Sequence, residues 1–99
     1  MRQTLKNFIY QTLYNKGFNP AYLGFEYLIQ CCECLHDIGK GSKPFLITKE
    51  LYPVIAAAND TTWQTVEKNI RYSIVNAGID KTNYQFIREL MYLAEFAGY

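Results

Sequence analysis

Hydrophobic residues recur along almost the whole chain at spacings of three and four, the period of a helix buried on one side. Leu5, Phe8, Ile9, Thr12 and Leu13 share one face of a first segment, and Gly17 stands where a left-handed C-cap would end it. Asn19 followed by Pro20 reads as a helix start, with asparagine as N-cap and proline at the first helical position. That second helix is expected to run to about Ile38 or Gly39, turning Leu28, Cys31, Cys32, Leu35 and Ile38 inward. After the loop "GKGSKP", a third helix is expected from Thr48, whose hydroxyl can cap it, with Leu51, Val54, Ile55 and Ala58 facing the core. Pro53 falls early enough in it for the missing amide to be tolerated.

"AND" at 58–60 ends the third helix, and Thr61 with Gln64 forms a T-x-x-Q capping box for a fourth, closed by Gly78. Its core stripe is Trp63, Val66, Ile70, Ile74 and Ala77. Thr82 and Gln85 repeat the box before a last helix that contains Phe86, Ile87, Leu90, Leu93 and Ala97. Strand-like alternation and internal repeats are absent from the sequence. The pattern predicts an all-α fold: about five helices in an orthogonal bundle, containing a helix-turn-helix at about 48–77.

Ninety-nine residues suit one domain, 1–99, with a single core. A hydrophobic share of 49% against 19% charged argues against disorder. No apolar run approaches the roughly 18 residues of a membrane span, and the N-terminus lacks the apolar run and cleavage site of a signal peptide. A cytoplasmic protein with no membrane partner is expected. Three crowded cysteines, Cys31, Cys32 and Cys34, suit reduced thiols better than a disulfide framework.

The C-x-x-C of Cys31 and Cys34, with His36 nearby, lacks the second ligand pair that zinc needs, so no metal and no cofactor are expected. Catalysis has as little support. There is a single histidine, no paired carboxylates, and "GKGSK" lacks the G-x-x-x-x-G-K-[ST] pattern and the preceding strand of a phosphate loop. The protein is not expected to be an enzyme. The tyrosines at 10, 14, 22, 92 and 99 form either an exposed aromatic patch or the rim of the core.

A net charge of +1 excludes a strongly basic nucleic-acid binder, but the charge is unevenly spread. Arg2, Lys6 and Lys16 precede any acid, and Lys40, Lys43 and Lys49 surround the loop. Within "TTWQTVEKNIRYSIVNAG" at 61–78, an inward stripe centred on Val66, Ile70 and Ile74 leaves Gln64, Thr65, Lys68, Arg71, Tyr72 and Val75 outside. Gln, Lys and Arg can contact base edges, while Thr48, Lys49 and Lys43 suit phosphates. The same face also fits a solvated helical hairpin.

"ITKELYP" at 47–53 followed by "NDTTWQTVEKNIRYSI" at 59–74 resembles the C-terminal DNA-binding domain of the sporulation master response regulator of spore-forming Gram-positive bacteria. The pattern I-T-K-x-L-Y-P-x-I-A is met from Ile47 to Ala56, and V-E-[RK]-x-I-R at Val66, Glu67, Lys68, Ile70 and Arg71. Gly17, Gly24, Phe25, Tyr27 and Leu28 fit the family's entry to the second helix, and the likeness resumes in "TNYQFI". It implies a helical effector domain that binds double-stranded promoter boxes through helix 62–77, with Glu67, Lys68 and Arg71 at the family's reading positions.

Glu67 either touches DNA or orients Arg71 as an i, i+4 partner. Thr65 and Tyr72 stand where the family has arginine and histidine, and Lys68 offers one ammonium where the usual arginine offers a bidentate fork. The connection before the last helix is cut to "IDKTN". With Met1 just ahead of the first helix, a stand-alone, divergent copy without a receiver domain is expected. The alternative is a protein-interaction module that kept the fold and lost specific reading, pairing with itself or with a partner regulator.

Overall fold

The computed structural model describes residues 3–99, so Arg2 lies outside the described residues. Helix α1 (Leu5–Asn15) opens on Thr4, whose hydroxyl accepts from the Asn7 amide at 3.1 Å, and closes before Gly17 at φ +91°. The next start comes later than Asn19-Pro20 suggests. Asn19 Oδ1 accepts from the Ala21 amide at 2.9 Å, so this asparagine closes a turn of its own, and α2 (Leu23–Asp37) begins only after it. Helix α2 is the central one, packed against every other helix. Accordingly Phe25, Tyr27, Leu28, Ile29, Cys31, Cys32 and Leu35 are all buried, while Ile38, past its end, is exposed.

A loop then leads into a π-helical turn, Ile47–Leu51, continuous with α3 (Tyr52–Ala58). Thr48 lies inside that wide turn and does not cap it. The Leu46 amide donates instead to the Glu50 carboxylate at 3.2 Å. Leu51, Tyr52, Ile55 and Ala56 face inward, whereas Val54 and Ala58 are exposed. Leu51 and Tyr52, adjacent in sequence, both turn inward where the wide turn gives way to α geometry. Pro53 sits in the first turn of α3, where it costs no hydrogen bond.

Helix α4 (Trp63–Asn76) is capped by Thr62, which accepts from the Thr65 amide at 3.2 Å, and not by a box from Thr61. Gly78 follows its end at φ +75°. Helix α5 (Asn83–Phe96) has the full box, in which Thr82 and Gln85 each accept the other's amide. Phe86, Ile87, Leu90, Met91 and Ala94 are its buried side, with Leu93 and Ala97 outside. Among the described residues the fold is all-α, five helices around one hydrophobic cluster to which each contributes. No helix is long and apolar enough to cross a membrane.

Candidate nucleic-acid interface

The placement of α4 begins at a glycine. A Cβ on Gly24 of α2 would stand 2.2 Å from the Asn69 carbonyl oxygen and 2.2 Å from Ser73 Oγ, so the two helices cross at backbone distance. Val66, Ile70, Ser73 and Ile74 fill that side. The turn between α3 and α4 is fixed by a side-chain amide pair. Asn59 Nδ2 donates to Gln30 Oε1 at 2.6 Å and to the Ile55 carbonyl at 2.7 Å, while Gln30 Nε2 returns a bond at 3.3 Å. Asp60 completes the turn in the left-handed region at φ +53°.

Helix α5 braces α4 from another side. Asn83, buried at its first position, donates through Nδ2 to the Tyr52 hydroxyl at 2.9 Å and to the Glu67 carbonyl at 3.2 Å. One amide thus touches α3, α4 and α5. Burial pushes the Tyr52 phenol up, against the opposing pull of the Asn83 bond, so it stays a neutral hydroxyl.

The outer row is then fixed. Gln64, Glu67, Lys68, Arg71, Tyr72 and Val75 are exposed, and Thr65 is half-buried with its hydroxyl 3.0 Å from that of Thr62. Trp63, expected in the core stripe, is 39% exposed at the helix start. The Tyr72 ring meets Tyr22 edge-on, centroids 5.3 Å apart. The Arg71 guanidinium does not pair with Glu67. It donates through Nη1 to the Lys81 carbonyl at 2.7 Å, because the short α4–α5 connection brings that oxygen within its reach. Lys68 has no ion pair among the described residues.

Glu67, Lys68, Arg71 and Tyr72 line one open groove of about 650 Å³ together with residues of the π-helical turn, α3 and the start of α5, among them Ile47, Tyr52 and Asn83. Thr48 and Lys49, next to Ile47 in the chain, are both exposed but do not line the groove. Lys43 is not brought to this groove. It lines a separate depression with Glu95 and Tyr99, toward the C-terminal end of α5. Its loop is tied there by Arg88 Nη2 donating to the Ser42 carbonyl at 2.9 Å and by the Ser42 amide donating to Glu95 at 3.3 Å. Two of the lysines in the basic stretches of the sequence are paired with acids from elsewhere in the chain: Lys40 with Glu50 at 3.5 Å and Lys16 with Glu89 at 3.7 Å. Cys31 and Cys32 are fully buried in α2, their thiols pushed far up by desolvation, and act as small hydrophobes. Tyr10, Tyr14 and Tyr92 are exposed, while Tyr22 and Tyr99 are half-buried.

Asn83, Gln30 and Asn59 escaped the sequence reading because their hydrogen bonds join distant segments and leave no periodic trace. The "TN" that opens α5 was a partial signal, since a capping threonine leaves the asparagine after it free for other work.

A short helix and a longer one meeting across a tight turn, braced by three further helices, define an all-α domain of helix-turn-helix build. Over residues 9–95 the chain matches the family described as sporulation initiation factor Spo0A C terminal, and it belongs to that family. This is a family of DNA-binding effector domains of a sporulation regulator, not an enzyme family. Comparison with curated protein sequences gave no match.

Proposed function

We propose that this protein is a cytoplasmic, sequence-specific transcriptional regulator, a single helical domain over residues 1–99 whose helix-turn-helix, about 48–77, docks on promoter DNA. Gln64, Thr65, Glu67, Lys68, Arg71 and Tyr72 form the base-reading face, and Thr48, Lys49 and Lys43 hold phosphates. The observation that carries this reading is the outer row of α4: a lysine with no ion pair among the described residues, an arginine and a glutamine, all exposed on a helix locked from behind at Gly24. Such side chains contact base edges when their helix enters the major groove. Lys43, set apart from the row, suits only the flanking backbone. With a net charge of +1, little nonspecific affinity is expected, so contacts made by this row carry the binding.

Fluorescence anisotropy with the family's promoter box and a scrambled duplex, at two salt concentrations, tests the reading. Box-selective, salt-sensitive binding is expected, weakened at least about tenfold in Lys68→Ala/Arg71→Ala. A folded protein that binds neither duplex would count against it. A second reading, an interaction module that pairs with itself or with a partner regulator, is favoured by one observation. The outer side of α5 carries Tyr92, Leu93 and a 96% exposed Phe96 beside an open groove. It predicts indifference to the double substitution and association that Phe96→Ser abolishes.

A further inference from the structure

The peptide unit joining Lys81 to Thr82 is held on both of its polar sides. Its carbonyl accepts from Arg71 Nη1 at 2.7 Å, and its N–H, that of Thr82, donates to Gln85 Oε1 at 3.0 Å. The Lys81 side chain is tied down as well, its ammonium bonded to the Glu89 carboxylate, which also lies 3.7 Å from Lys16 Nζ. Gln85 and Glu89 are one turn apart on α5, so a single helix face grips the connection from within. Arg71 is exposed, and a long, solvated side chain ordinarily samples many rotamers. Here one of its nitrogens is anchored to a carbonyl that is itself immobilised.

We infer that Gln85 and Glu89 are positioning residues for Arg71, acting through the Lys81–Thr82 peptide to hold the guanidinium preordered beside the groove. Only one guanidinium nitrogen is used by the anchor, and the others remain for an acceptor on a ligand. Ordering a rotamer-rich side chain before binding removes a cost from association. The inference rests on the DNA-reading proposal for its consequence, selectivity, but not for its structural content.

Two measurements separate these levels. Nitrogen-15 spectra of the guanidinium groups in the DNA-free protein, with Arg71 assigned through Arg71→Lys, should show restricted Arg71 Nη signals that average out in Glu89→Gln and in Gln85→Ala. Gln85→Glu, which keeps a capping acceptor, should retain them. In DNA binding, Gln85→Ala should lower the ratio of box to scrambled affinity by about two- to tenfold, and Glu89→Gln by no more than about twofold. In an Arg71→Ala background neither should change that ratio. A merely structural role would lower stability and both affinities together, leaving the ratio intact. Arg71 signals unchanged by both substitutions, or an equal loss of selectivity without Arg71, would overturn the inference. A guanidinium response as expected in a protein that selects no duplex would sustain the anchor and count against DNA reading.

Discussion

Against α2, helix α4 lies so close that only the hydrogen of Gly24 fits between them. Against α5 it is tied by the Asn83 amide and by Arg71 reaching a loop carbonyl. The first contact is one of shape. It fixes where α4 is, and it tolerates no added atom because helix backbone cannot move aside as a side-chain tip can. The second is one of direction. Each of its hydrogen bonds adds only about 1 kcal/mol net, but together they determine how α4 is turned and where its outward arginine points. A helix that must present side chains to a partner needs both kinds of support, and here they come from opposite ends of the sequence.

The largest effect is expected where shape decides. Gly24→Ala should cost about 3 kcal/mol in urea unfolding, although alanine in a helix ordinarily gains about 0.5–1 kcal/mol over glycine. Adding Ser73→Ala should recover only part of the loss, since the Asn69 carbonyl still meets the new methyl group. Full recovery by Ser73→Ala would show that the helices are not locked at their backbones. Next comes the directional side. Asn83→Ala leaves the Tyr52 hydroxyl without its donor and takes from the Glu67 carbonyl the bond it receives beyond its helical one, which should cost about 2 kcal/mol. Asn83→Asp should recover little: the Tyr52 hydroxyl can turn to donate to the carboxylate, but the Glu67 carbonyl then faces a buried negative charge in place of its donor. A cycle with Tyr52→Phe checks that the loss belongs to this contact: the phenylalanine should cost less in the Asn83→Ala background than in the wild type.

The same division governs what the sequence discloses. Burial of Val66, Ile70 and Ile74 follows from spacing, and Gly17, Gly78 and the Thr82–Gln85 box follow from local backbone demands that residue types meet directly. Boundaries set by competition between local options are less visible. Thr61 and Thr62 are both able to cap, and the structure uses Thr62. Asn19 can close a turn as easily as open a helix. Val54 and Ala58 are apolar but face out: the wide turn at 47–51 shifts the phase of the helix that follows, and Tyr52 and Ala56 lie on the core side instead. In the candidate site, exposure of Gln64, Lys68, Arg71 and Tyr72 is legible from the helical period. The partner of Arg71 is not, since a backbone carbonyl across a loop has no residue type to mark it.

A smaller effect should separate the capping box from the peptide it holds. Thr82→Ala removes the acceptor of the Gln85 amide but leaves Gln85 Oε1 on the Thr82 amide's position, so about 1 kcal/mol of stability should be lost in thermal unfolding. Box-to-scrambled selectivity should hardly change, in contrast to Gln85→Ala. Equal selectivity losses from the two would mean that the helix end as a whole, and not the 81–82 peptide, matters for Arg71.

The faintest expected effect lies at Glu89. Its carboxyl sits below the usual glutamate range, chiefly through the hydrogen bond from Lys81 and secondarily through the charge of Lys16, with partial desolvation opposing both. A carboxyl lowered on folding adds stability that is fully present above the unfolded value of roughly 4.3 and is lost as pH falls through the lower folded value. Because the pair is about one-third exposed, solvent screening holds the gain to roughly a few tenths of a kcal/mol. Wild type should therefore exceed Glu89→Gln slightly in denaturant midpoint at neutral pH, the gap closing below about pH 4 and narrowing with added salt. A gap unchanged down to pH 2 would mean that Glu89 acts through packing alone. Its grip on the connection would then be steric, and the two sides of α4 would differ less in kind than their contacts indicate.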